Sequence, residues 1–212
     1  MSQMTPESTR LYLIRHGEVE TKYHKVFGGS RIDMQLSPEG HLQAQRMAEY
    51  LHTEHLDAIY CSPMTRAQQT MAPLLAKVPH HQPRTVDGLR EVDFGAWTGL
   101  NWNDVQEKFG ISAFDWLDQL HAAAIPDAES AMQFRLRVEP CLQQIIEGHK
   151  CQHVAVICHG GVIRMLLSVL LDIPLTTLGR VQIEYAGISV VNLHAHKTEL
   201  QLLNFVPWRD RR

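Results

Sequence analysis

The chain has 212 residues, 44% hydrophobic and 20% charged, with a net charge of −3 when its thirteen histidines are neutral. That length suits one domain, or one with a sizeable insertion, around a substantial core. The mildly acidic balance lacks the basic surplus of a nucleic-acid or anionic-membrane binder, so any anion site must be a local concentration of positive charge.

The opening "MSQMTPESTR" is polar and lacks the apolar centre of a signal peptide. "LYLI" (11–14) reads as a strand buried on both faces, and it stops at Arg15, His16 and Gly17, the glycine allowing a sharp turn. "SPEGHLQAQRMAEYLH" reads as a helix, with Ser37 as N-cap before Pro38 and Ala44, Met47, Ala48 and Leu51 on one face. "DAIYCS" (57–62) is a second strand, and the helix over 63–77 carries Arg66 near its start. A short third strand is expected at 84–87. Residues 101–128 read as helices rich in aromatics, with Lys108 as their one lysine or arginine. A longer helix follows over about 130–148, with Phe134, Val138, Cys141, Leu142 and Ile145 on one stripe. "HVAVIC" (153–158) has the unbroken apolar character of a central parallel strand. "GGVIRMLLSVLL" then forms a mostly buried helix, and the apolar run "VIRMLLSVLLDIPL" is broken by Arg164, Asp172 and Pro174 too soon to cross a bilayer. Strands over 181–185, 188–194 and 199–205 close the chain and offer an edge for a homodimer. The tail "WRDRR" reads as a solvated terminus.

Alternating strands and helices argue for an α/β fold, a sheet covered by helices on both faces. With no repeat or linker, residues 1–212 form a single domain. The four cysteines, Cys61, Cys141, Cys151 and Cys158, make no C-x-x-C pair, which suits a reducing, cytoplasmic setting. His149, Cys151 and His153, or His194 with His196, lack the flanking carboxylates of a metal site, and no metal is expected.

In such sheets ligands sit beyond the carboxyl ends of the strands. Two strands there end alike, one in Arg15-His16-Gly17 and the other in His159-Gly160-Gly161, and Arg66 follows a third. Arginine forks suit phosphate oxygens, a protonated His159 would add a donor, and helix-start N–H groups with glycines admit an anion. His16, flanked by cations, should have a lowered pKa, leaving a neutral nitrogen to attack phosphorus. Within "LREVDFGAWTG" (89–99), Glu91 is the candidate proton donor to the leaving group, and Asp93 the weaker one.

The segments "LYLIRHGE", "LSPEGHLQAQ", "YCSPMTRAQQT", "LREVDFGAWTG" and "ICHGGVIRMLL", in order across about 11–170, resemble the motif series of the histidine phosphatase superfamily, in its phosphoglycerate-mutase-like branch. The resemblance implies a three-layer α/β/α fold with a mostly parallel central sheet, and a helical insertion (about 101–128) capping the site. It implies that His16 is the phosphorylated nucleophile, that Arg15, Arg66 and His159 bind phosphate, that Glu91 is the acid, and that neither metal nor other cofactor is needed. Candidate substrate contacts are Gly17, Lys22, Gly28 and Gly160. Two positions depart from the family pattern: Val19 replaces a hydroxyl residue, and Lys22 stands where an asparagine is usual. Ser130 or Asp127 in "PDAES" (126–130) is expected to cap the long helix, with substrate contact by Ser130 as the alternative. The expected activity is metal-independent hydrolysis of a small phosphomonoester through a phosphohistidine, with α-ribazole phosphate or a sugar phosphate as examples of the substrate. A phosphoglycerate mutase is the alternative, disfavoured by the scarcity of cations in the insertion, and an inactive phospho-ligand-binding relative is a third. Neither nucleic acid nor membrane is an expected partner.

Overall fold

A computed structural model of the chain describes residues 8–210. Residues 1–7, which include most of the polar start examined for a signal peptide, and Arg211 and Arg212 of the tail lie outside that range. Strands β1 (Thr9–Arg15), β2 (Ala58–Cys61), β3 (Arg84–Thr85), β4 (His153–Cys158), β5 (Ile188–Leu193) and β6 (Thr198–Phe205) form one sheet in the order β3-β2-β4-β1-β5-β6. β1 to β4 run parallel, whereas β5 pairs antiparallel with both β1 and β6. The sheet is therefore mixed but mostly parallel.

Strand side chains alternate between faces. Leu11 and Leu13 of β1, with Val154 and Val156 of β4, face one core, while Tyr12, Ile14, Ala155 and Ile157 face the other. Helices α1 (Pro38–Leu51) and α2 (Thr65–Lys77) cover the second face with Met47, Leu51, Met71 and Leu74. Between β3 and β4 the chain forms α3 (Trp102–Phe109), α4 (Trp116–His121) and α5 (Ala131–Gly148), and α6 (Gly160–Leu171) follows β4. All four cover the first face, and Val105, Leu117 and Leu120 of the 101–128 segment join the same core as Leu13. No helix among the described residues is long and apolar enough to cross a membrane.

The caps follow from the sequence. Ser37 Oγ accepts from Gly40 N (3.0 Å) at the start of α1. Ser130 and Gln133 form a reciprocal capping box on α5, so Ser130 serves the helix and does not line the site described below.

Two expectations about strands need correction. Residues 181–185 are not a strand, because two arginines occupy their carbonyls: Arg164 Nη2 donates to Val181 O (2.8 Å) and Arg15 Nη1 to Ile183 O (2.6 Å). The third strand shrinks to two residues, since Asp87–Leu89 turn into a 3₁₀ helix. The described part of the tail forms α7 (Pro207–Asp210), where Asp210 accepts from Val206 N (2.7 Å) and Trp208 packs beside the second core.

Candidate active site

The β1–β4 pairing brings the two histidines together. Arg15 lies opposite Cys158, and His16 N donates to Cys158 O (3.0 Å). The His16 and His159 rings are consequently 5.2 Å apart. His16 Nδ1 lies 2.7 Å from Gly17 O, which can only accept, so Nδ1 carries the proton. Nε2 then keeps its lone pair and accepts from Arg66 Nε at 3.3 Å. Burial first, then the Arg66 and Arg15 guanidiniums, hold the His16 pKa well below 6.5. The ring is neutral, with its lone pair on Nε2.

Arg66 is 2% exposed, and it donates to Gly29 O (3.0 Å) and Ile32 O (3.2 Å). Burial pulls its pKa down to about 10, which still leaves it charged at neutral pH. Arg15 stacks 3.9 Å over the Tyr185 ring, and its buried Nε has no hydrogen-bond partner. His159 is fully buried, with Nε2 2.7 Å from Ser62 Oγ and Nδ1 unpartnered. Burial and then Arg66 push its pKa well below 6.5, which favours the neutral ring.

Glu91 faces these groups. Its Oε1 accepts from Val92 N (3.0 Å) and its Oε2 from Gly161 N (3.1 Å). Any Cβ at position 161 would collide with Glu91 Oε1, so Gly161 makes room for the carboxylate. Asp93, the weaker candidate, is held elsewhere by Arg31 Nε (2.6 Å) and Gly95 N (2.9 Å).

Arg15, His16, Arg66 and Glu91 line a cleft of about 550 Å³, while His159 and Asp93 are not in its lining. Arg15, Lys25, Arg66 and Arg164 are its cationic walls against the single carboxylate of Glu91. Gly28 and Gly160 also line it, and Trp102 and Trp116 from α3 and α4 close one side. Lys22 does not reach it: the side chain is 62% exposed and pairs with Glu20 (3.1 Å). Lys25, three residues on with φ 58°, takes the place in the wall. Gly17 is also outside the lining. Its φ is not left-handed, and it is required by space, because a Cβ would sit 2.6 Å from Gly40 O. Sequence reasoning missed Arg164, which donates to Gly160 O (3.0 Å), Leu178 O (3.1 Å) and Val181 O (2.8 Å). The available signal was a lone arginine inside an otherwise apolar helix.

Of the histidines weighed as metal ligands, His149 bonds with Tyr60 and Gln152, and His153 with His55 O. Among the described residues no group of three His, Cys, Asp or Glu side chains is placed to hold a metal ion.

A cation-lined cleft at the carboxyl ends of parallel strands, with the His16 ring in its lining, is chemically suited to a phosphoryl group. The family model for the histidine phosphatase superfamily (branch 1) matches residues 11–206, and the chain belongs to that superfamily. Its fold is phosphoglycerate mutase-like, and it is a phosphatase of that family. A putative phosphoserine phosphatase 2 of Hydrogenobacter thermophilus is 30% identical over 92% of this chain and 95% of its own length. An adenosylcobalamin/alpha-ribazole phosphatase of Escherichia coli is 26% identical over 92% and 95%. The crystal structure of the alpha-ribazole phosphatase from Shigella flexneri superposes with a TM-score of 0.79 at 26% identity, covering 92% and 96% of the two chains.

Proposed function

We propose that the chain hydrolyses small phosphomonoesters without a metal, through a phosphohistidine at His16. The observation that carries this reading is the neutral His16, its Nε2 lone pair directed at the Arg66 guanidinium in a cleft whose one carboxylate is Glu91. Nε2 attacks phosphorus while the ester P–O bond breaks, and protonated Glu91 gives its proton to the departing oxygen. Arg15 and Arg66 stabilise the charge on the phosphoryl oxygens, the task a metal would otherwise perform. Glu91, now a carboxylate, then takes a proton from water as that water attacks phosphorus. The P–N bond breaks, releasing phosphate and neutral His16. Gly28 and Gly160 admit the ester closely, and neutral His159 contributes at most one N–H from behind.

The leaving group would meet Tyr23, Trp102, Trp116 and Tyr185 as flat apolar surface, with Lys25 and Gln182 as polar contacts. Such walls suit a compact alcohol bearing a ring or a hydrogen-bonding group. α-Ribazole phosphate, phosphoserine and sugar phosphates are the first esters to try, and a cytoplasmic setting is the expected one. The test is phosphate release in EDTA from these esters, 3-phosphoglycerate and an aryl phosphate, with His16→Ala alongside. Release that survives EDTA and vanishes in the variant is expected, with an acid-labile phosphoryl label on the wild-type chain. Activity retained by His16→Ala would overturn the mechanism.

A further inference from the structure

We propose that Arg137 and Glu129 form a clamp that positions Glu91 at the cleft, an inference that rests on reading Glu91 as the proton donor. Glu91 sits between two short 3₁₀ turns, on a stretch (90–94) with neither helix nor strand to fix it. Proton transfer to a departing oxygen demands placement within a fraction of an ångström, so something must hold this loop.

Arg137, on α5, does so with all five of its N–H groups. Nη1 donates to Gly88 O (2.8 Å) and Arg90 O (2.9 Å), and Nη2 reaches Glu91 O (3.5 Å). Nε and Nη2 also form a fork on Glu129, at 2.8 and 2.7 Å. Glu129 grips the other side of Glu91, its N donating to Asp93 O (3.0 Å) and its Oε2 accepting from Asp93 N (3.3 Å). One ion pair thus engages the backbone of residues 88, 90, 91 and 93. The pair is only 25% and 13% exposed, unlike the surface pairs that contribute little. Gly88 is pressed so tightly on α5 that a Cβ there would collide with Cys141.

Neither clamp residue lines the phosphoryl cleft. Both line a separate polar pocket of about 460 Å³ that has Glu91 in its shared wall. Arg137 and Glu129 therefore act from behind the carboxylate and touch no substrate. They are positioning residues.

The experiment compares kcat/KM, which reports every step through departure of the alcohol, over esters graded from nitrophenyl to alkyl phosphates. The enzymes are wild type, Glu91→Gln, Glu129→Gln, Arg137→Lys and the double variant Glu91→Gln/Glu129→Gln. An alkyl alkoxide needs the proton and nitrophenolate does not. Glu129→Gln and Arg137→Lys should lose on the order of tenfold or more on alkyl esters and less than about threefold on nitrophenyl phosphate. In the double variant Glu129→Gln should add no further loss, because its effect passes through Glu91. Equal losses on every ester, no loss on any, or losses that multiply in the double variant would overturn the clamp. Loss of the folded state in both single variants, read by circular dichroism, would also overturn it in favour of a purely structural pair. A Glu91→Gln enzyme with no dependence on the leaving group would instead overturn the acid assignment itself.

Discussion

His16 loses its affinity for a proton to burial, to Arg66 and to Arg15, in that order. His159 behind it is depressed mainly by burial as well. Both folded pKa values lie below the unfolded value of about 6.5. Above that pH neither state holds the protons, and the contribution to stability is fully present. As pH falls below about 6.5 the unfolded chain takes up protons that the folded chain refuses, and stability is lost. Urea unfolding across pH 5–8 should therefore show proton uptake on unfolding at pH 5.5 that is larger by about one in wild type than in His16→Asn. For catalysis, truncating Arg15 or Arg66 should lower turnover on the order of 10²–10³, as for other lost charge-stabilising donors. Gly161→Ala makes a sharper test, because its methyl would displace the Glu91 carboxylate. Its losses should track leaving-group basicity across the same ester series, and a uniform loss would contradict that account.

Elements whose signals are local were legible. The capped helices α1 and α5 and the unbroken apolar strands β1 and β4 lie within about two residues of where periodicity and capping chemistry put them. Segment 181–185 has strand-like residues, but its carbonyls belong to Arg15 and Arg164, partners distant in sequence that no local pattern reveals. Lys22 and Lys25 present the same difficulty on a smaller scale. Both are lysines in one loop, and only the turn of that loop, with Lys25 left-handed, decides which faces the cleft. The Glu129–Arg137 grip on the 88–93 loop is equally invisible without the packing of α5. Ser130 belongs to the legible group, since its capping box is written in "SAMQ". Ser130→Ala should lower stability by about 1 kcal/mol, measured as a shift in urea midpoint, and leave kcat/KM unchanged. A fall in kcat/KM would restore the substrate contact considered for this residue.

At the level of the whole molecule, the sheet both carries the core and delivers the chemistry. The strand ends of β1 and β4 supply His16 and His159, and the start of α2 supplies Arg66. Leu13 is fully buried three residues before His16, so Leu13→Ala should cost about 2–5 kcal/mol and lower the urea midpoint.

Arg15 Nε in the cleft wall, like His159 Nδ1 behind it, is buried with no partner in the protein. Each such group costs about 1–3 kcal/mol, a debt the sheet carries in order to keep the cleft ready for an anion. Inorganic phosphate, the product of the proposed reaction, should relieve part of it. At about a hundred times its dissociation constant, phosphate binding would add about 2.7 kcal/mol of stability, seen as a rise in Tm that His16→Ala and Arg66→Ala blunt. Product would then be an inhibitor and a folding ligand at once. The enzyme would be hardest to unfold when its product has accumulated and its turnover is slowest.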